Sequence, residues 1–329
     1  MKILIRIPNW IGDAVMSIPA IETIRQNFET SEIYLIGRIP AIEIFRNYRG
    51  IKKIIELNNK LIPEIKAHFE LKKEKIDKAY LLPNSFGSAF SMVFSGSNEI
   101  IGYLNEGRGI FLTKRFKKKF NPNEHFSNYY KNLVISSGLE NMEIDKISLS
   151  TSKDEKKWAE NFLSEKLKDI NIGISPGAAY GNSKKWFTER FKEVAIYFER
   201  QYQARTFVFG SKSDNYDCEK VVTENSINLC GKTSIREAMA LIERMDIFIS
   251  NDSGLMHLAN ALGVPVIGIF GPTIPTSTYP FNKNHKVLFH KAPCSPCKYR
   301  ECPLEKKICM DMIKSKEVIN SVKSLLNLT

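Results

Sequence analysis

Residues 250–273 read SNDSGLMHLANALGVPVIGIFGPT. An apolar run, MDIFIS (245–250), leads into the segment, and a second, VPVIGIF (264–270), follows within fifteen residues. The pattern predicts strand, helix and strand in succession, with Asn251, Asp252, Ser253 and Gly254 where the first strand hands over to the helix. Short polar residues are good helix caps. A helix start also has unpaired N–H groups and the positive end of the dipole, so it binds anions. Gly254 lets ligand oxygens approach the backbone, and His257, on the first turn, can face the same place. A plain cap with a core histidine and the floor of a binding site both fit this segment taken alone.

The rest of the chain repeats the alternation. Strands over KILIRI, EIYLIG (32–37), KKIIEL (52–57), DKAYLLP and EIIGY are separated by helices over AVMSIPAIETIRQNF, AIEIFRNY, residues 60–74 and SFGSAFSMVFSG. The rhythm breaks over 139–152 and then resumes. Ser152 to Glu155 has the capping-box pattern of a helix running to about 167, and Ser234 to Glu237 has it for REAMALIER. Strands NIGISP, RTFVFG, INLC, MDIFIS and VPVIGIF follow, with helices over FTERFKEVAIYFERQ and 214–225 and a final amphipathic helix, MIKSKEVINSVKSLLN. Strands alternating with helices imply parallel βαβ units. We therefore expect an α/β chain of two doubly wound domains, 1–150 and 151–329. Ligands bind such sheets beyond the C-terminal ends of the strands. Asp13, the 176–186 loop, Gly210 and Asp252 all lie there.

A length of 329 residues suits two domains of about 150. Hydrophobic residues at 43% and charged residues at 26% are ordinary for a globular protein. No run of 18 apolar residues predicts a membrane helix. MKILIRIPNWIGD meets Arg6 and Asp13 too soon for a signal peptide, so a cytoplasmic location is expected. Lys and Arg number 48 against 36 Asp and Glu, a net charge of +12. That excess attracts polyanions: nucleic acid, an anionic membrane or a phosphorylated substrate. Lys114-Arg115, Lys117 to Lys119 and Lys306-Lys307 carry much of it, and each reads equally well as solvated surface. Neither an RNP-like aromatic strand nor a helix-turn-helix pattern is visible, which argues against nucleic acid as partner.

Two further turns carry candidate chemistry. In SPGAAYGNSKKW (175–186) a strand ends at Pro176, Gly177 opens a Gly-rich loop, and Lys184, Lys185 and Trp186 precede a helix. Loop amides and a lysine make a diphosphate cradle, although the Walker spacing is absent. In NWIGDAVMSIPA (9–20) a carboxylate, Asp13, stands at the first βα turn. It suits proton removal better than phosphate binding, and it also fits a helix N-cap.

GDAVMSIPA, PGAAYGNSKKW, FGS (209–211) and the 250–273 segment, in this order over nearly the whole chain, resemble the ADP-heptose:lipopolysaccharide heptosyltransferases. The resemblance implies the inverting GT-B fold, two Rossmann-like domains facing a central cleft, with an acceptor-binding domain first and an ADP-heptose-binding domain second. LLPNSFGSAF (81–90) is similar to the members that add the second inner-core heptose. By the same resemblance Asp13 is the general base and Lys184, of the K-x-W element, a catalytic donor contact. Gly177, Asp252, Ser253, Gly254 and His257 hold the donor, and Asn84 and Ser85 the acceptor. No cofactor is implied, and without an Asp-x-Asp motif no obligatory metal. The implied acceptor is a Kdo-bearing lipopolysaccharide inner-core glycolipid, so peripheral attachment to the anionic inner face of the inner membrane is expected. Two departures stand out: Ala178 and Ala179 replace loop hydroxyls found in relatives, and Phe187 replaces a proline.

Six cysteines make no disulfide scaffold. Four of them, Cys294, Cys297, Cys302 and Cys309, form C-x2-C-x4-C-x6-C. Half of this matches a zinc site and half is too widely spaced, so a tetrathiolate and reduced thiols both remain open.

Overall fold

KILIR forms the first strand, β1 (Lys2–Arg6), and Ile3, Leu4 and Ile5 are fully buried in it. Such apolar runs, covered on both faces, are what a parallel sheet requires. The computed structural model describes residues 1–105, 107–118, 121–304 and 306–329. Lys119, at the end of one basic run, lies outside them. The chain divides into two units, Met1–Leu149 and Ser150–Thr329.

The first unit adds β2 (Glu32–Arg38), β3 (Ile51–Leu57), β4 (Lys78–Leu81), β5 (Glu99–Tyr103) and β6 (Lys114–Phe116). All pair in parallel, in the order β3-β2-β1-β4-β5-β6. Its helices are α1 (Ile11–Met16), α2 (Ile18–Asn27), α3 (Leu61–Glu70), α4 (Phe86–Val93) and α5 (Ser127–Ser136).

The second unit contains β7 (Asn171–Ser175), β8 (Arg205–Val208), β9 (Ile227–Asn228), β10 (Ile247–Asn251), β11 (Val266–Phe270) and β12 (His285–Phe289). They are also parallel, in the order β9-β8-β7-β10-β11-β12. The helices are α6 (Lys153–Leu163), α7 (Thr188–Tyr202), α8 (Asn215–Val221), α9 (Ile235–Ile242), α10 (Gly254–Ala261), α11 (Pro275–Thr278), α12 (Ile308–Asp311) and α13 (Ser315–Leu326). On α7, Phe191, Val194, Ala195 and Phe198 recur at helical spacing and enter the core.

Counted from its own first strand, each sheet has the order 3-2-1-4-5-6 of the doubly wound mononucleotide folds. The winding direction therefore reverses between β1 and β4, and again between β7 and β10. The loops after those four strands contain Asp13, Asn84 with Ser85, the 176–186 turn and Asp252.

The expected elements differ in detail. The long helix from Ala14 breaks at Ser17, because α2 starts with Pro19 in its first turn, where the missing N–H does no harm. AIEIFRNY yields only a 3-10 turn, Glu43–Phe45. The helices starting near 153 and 214 stop at Leu163 and Val221, short of the expected ends. Strands β6 and β12 went unanticipated; Lys and Arg on the first, and His and Lys on the second, mask them.

Both expected capping boxes form. Glu155 N–H donates to Ser152 Oγ at 3.1 Å and Ser152 N–H to Glu155 Oε2 at 2.7 Å. The Ser234–Glu237 pair repeats the pattern. Glu155 also takes a two-pronged bond from Arg236, at 2.7 and 2.6 Å, which ties the start of α9 to that of α6. The guanidinium holds the Glu155 carboxyl down at about 2, against an ordinary value of 4.5. A carboxyl that titrates lower when folded stabilises the fold above pH 4.5 and loses that contribution as pH falls toward 2. The urea midpoint of the wild type should therefore drop more steeply over that window than that of Glu155→Gln. Parallel profiles would refute the linkage.

Candidate functional site

Because β7 and β10 are neighbours, the loops that leave them meet although they are 75 residues apart in sequence. Asn251, fully buried at the end of β10, fastens both ends of the 176–186 loop. Its Oδ1 accepts from Trp186 N–H at 2.9 Å, and its Nδ2 donates to the Pro176 carbonyl at 2.7 Å. Trp186 is itself buried and donates its indole N–H to the Ile313 carbonyl.

The next residue, Asp252, takes the loop's lysine. Lys184 Nζ lies 2.5 Å from Asp252 Oδ2, with the two side chains only 11% and 4% exposed. Thr273 Oγ1 donates to the same oxygen at 2.7 Å, and the Tyr180 ring lies 4.8 Å from the ammonium. Ser253 is the N-cap residue of α10, but no side chain makes the capping hydrogen bond; its hydroxyl lies 3.0 Å from that of Ser250. The reading of this segment as a side-chain cap is thus overturned. Gly254 is the first helical residue, and His257 is buried on the first turn.

Gly177 has a steric role that the sequence did not disclose. A Cβ there would stand 2.4 Å from the Asp214 carboxylate, which closes a capping box with Ser211 in the FGS turn. At Gly181 a Cβ would stand 2.3 Å from the Arg300 carbonyl. The cysteine-rich segment therefore buttresses the loop from outside. Ser183 N–H donates to Arg300 O at 3.0 Å, Tyr180 OH to Lys298 O at 2.5 Å, and Lys307 Nζ to Lys185 O at 2.7 Å. All four cysteines of that segment are free thiols. Among the described residues no group of three or more His, Cys, Asp or Glu is arranged to hold a metal.

In the first unit Asp13 is the third residue of α1, whose N-cap position belongs to Trp10. It is not the N-cap. Tyr130, buried on α5, donates its phenol to Asp13 Oδ1 at 2.8 Å. Burial and then the adjacent carboxylate push that phenol well above its ordinary range, so it stays a donor. Fully buried Arg6, at the end of β1, donates to Ile7 O at 3.2 Å and to Asn9 Oδ1 at 3.1 Å, with Glu64 at 3.7 Å. It thereby shapes the turn that leads to Asp13. Sequence reasoning missed Arg6, although a cation set between the apolar Ile5 and Ile7 was a visible signal.

Asn84 and Ser85 follow β4 on the other side of the switch point. Ser85 caps α4 through Ser88 N–H. Asn84 Oδ1 accepts from buried Arg108 at 3.3 Å, and its carbonyl accepts from Asn105 at 3.0 Å. Asn251→Ala would leave the Trp186 N–H and Pro176 carbonyl buried without partners. It should lower unfolding free energy by about 2–6 kcal/mol in a urea titration, at about 1–3 kcal/mol per stranded group. A loss within error of zero would show that the loop is held by other bonds.

Residues 65–308 match glycosyltransferase family 9 (heptosyltransferase). The chain is 32% identical to lipooligosaccharide heptosyltransferase 2 of Campylobacter jejuni, over 99% of this chain and 98% of that protein. It is 28% identical to lipopolysaccharide heptosyltransferase 2 of Escherichia coli, over 88% of each. Its fold superposes on the E. coli ADP-heptose lipopolysaccharide heptosyltransferase II structure with a TM-score of 0.84, at 24% identity and 99% coverage of both chains. Motif order, sheet order and full-length similarity agree: the chain belongs to glycosyltransferase family 9, the heptosyltransferases.

Proposed function

We propose that this glycosyltransferase moves L-glycero-D-manno-heptose from ADP-heptose onto the first heptose of the lipopolysaccharide inner core, with inversion. The observation that carries the reading is the Lys184–Asp252 pair at the start of α10. A buried ion pair contributes little net stability compared with apolar side chains of similar size, so it suits a site where charge is used. The full-length similarity to heptosyltransferases 2 supports the choice of acceptor.

In this reading the second unit holds the donor. Gly177 and its loop amides, Ser253 and Gly254 surround the diphosphate, Lys184 balances the charge of departing ADP, and Asp252 and His257 fix the donor. The first unit handles the acceptor, with Asn84 and Ser85 at its binding element. Asp13 takes the proton from the attacking hydroxyl, and Tyr130 holds one carboxylate oxygen. Tyr130 is a positioning residue. Ala178 and Ala179 restrict that part of the loop to backbone contacts with phosphate. The acceptor is a membrane glycolipid, so the enzyme works at the cytoplasmic face of the inner membrane as a peripheral protein. Among the described residues no helix is long and apolar enough to cross a membrane.

Mass spectrometry of glycolipid incubated with ADP-heptose tests the reaction. A gain of one heptose on a mono-heptosylated acceptor is expected, with none on an unheptosylated one; the reverse pattern overturns the acceptor assignment. Asp13→Ala should lower kcat about 100-fold or more with donor affinity largely kept. Wild-type turnover in that variant would remove Asp13 from the mechanism. Lys184→Ala should instead weaken ADP binding by calorimetry as well as turnover, since it removes a charge-assisted contact.

A further inference from the structure

The first unit carries an exposed apolar face that neither the base nor the acceptor element uses. On α3 the residues at helical spacing along the solvent side are Ile62, Lys66 and Phe69, continued by Lys73. Ile62 is 80% exposed and Phe69 60%. Helix α3 packs on α4, and α4 packs on the 3-10 turn Arg108–Phe111. The solvent side of α4 presents Phe86 and Val93, each 44% exposed, and the 3-10 turn presents Ile110, 78% exposed. Phe111 joins the turn to α4: its ring meets Phe86 edge-on at 5.1 Å and Phe90 at 5.6 Å. The exposed apolar side chains thus sit on three elements that pack in succession, and clustered exposed apolar residues mark interaction sites.

Cations border it. Lys66 and Lys73 lie within the α3 stripe, Lys72 stands 5.9 Å from the Phe69 ring, and exposed Arg115 runs beside Gly109 of the 3-10 turn. Glu70 is the exposed carboxylate of α3. Large apolar side chains alternating with lysines make the chemistry of an interfacial element: the rings and branched chains enter the headgroup boundary and the lysines meet lipid phosphates. The face also adjoins the acceptor element, since Phe86 follows Ser85 and Arg108 bonds Asn84.

We infer that this face, formed by α3, the exposed side of α4 and the turn at Ile110, is the surface by which the protein docks on an anionic lipid bilayer. The inference rests on the peripheral-membrane reading above and gives that reading a location. A glycolipid whose sugars reach Asn84 and Ser85 has its acyl chains in the same bilayer, so docking here presents the acceptor without lifting it from the membrane. A protein partner or a second copy of the chain would cover the apolar residues equally well, but neither accounts for the lysines spaced among them.

The test is co-sedimentation with vesicles of phosphatidylethanolamine and phosphatidylglycerol, against vesicles of phosphatidylcholine alone. Full-length wild type should bind the anionic vesicles and release in high salt. Ile62→Glu/Phe69→Glu/Ile110→Glu should bind at least about tenfold more weakly. Lys66→Glu/Lys73→Glu/Arg115→Glu should bind zwitterionic vesicles as the wild type does but lose the preference for anionic ones. Both variants should keep wild-type kcat on a deacylated, water-soluble acceptor, which excludes misfolding. If the wild type binds neither vesicle, peripheral attachment itself fails. If wild type and the apolar variant bind alike, attachment stands and this face is the wrong one. If the wild type sediments as a dimer that the apolar variant dissolves, while vesicle binding is unchanged, the occupant is a second copy.

Discussion

An ammonium and a carboxylate, 2.5 Å apart and almost shielded from water, organise the second unit. Separating either from its partner would leave a buried charge, at a cost of about 3–5 kcal/mol. Everything around the pair serves to keep it in place. Asn251 anchors the loop that brings Lys184, Thr273 satisfies Asp252, Tyr180 lies beside the lysine, and the segment after Cys297 props the loop from the far side. A charge held in place in this way is preorganised, so an anion that binds beside it requires little rearrangement of the protein. Two glycines make the close packing of the turns feasible, because a methyl group at either would collide with its neighbour.

The first unit solves a different electrostatic problem. Here the charged group is a carboxylate, Asp13, and its surroundings orient it. Tyr130 donates from within the core, and burial keeps that phenol protonated. Behind the turn, Arg6 and Glu64 form a buried ionic base under Asn9. Both units thus use the same device: one charged group beyond a strand end, positioned by neutral hydrogen-bonding groups that are themselves locked by burial.

The cysteine-rich segment, which the spacing left open between metal ligands and free thiols, acts through its main chain in this structure. The carbonyls of Lys298, Tyr299 and Arg300 accept from Tyr180 and Ser183 of the 176–186 loop. Lys307 returns the contact to the Asn182 and Lys185 carbonyls. Its placement against the loop follows from backbone geometry, which residue spacing does not encode.

The sequence by itself determined the class of fold, the two-unit organisation and most of the strands, because apolar period and capping residues are local signals. The boxes at Ser152 and Ser234 formed as written. Elements with mixed local signals were lost: β6 reads as a basic run, β12 mixes His and Lys with apolar residues, and AIEIFRNY has helical spacing but makes only one turn. Motif spacing located Lys184, Asp252 and Asp13 in the segments that follow strands. Only the tertiary structure decided that Lys184 touches Asp252, that Asn251 ties the loop, and that Tyr130 and Arg6 serve Asp13. Those contacts depend on strand order. Parallel winding puts β10 beside β7 and β4 beside β1, and no local pattern in the chain specifies which distant strands become neighbours.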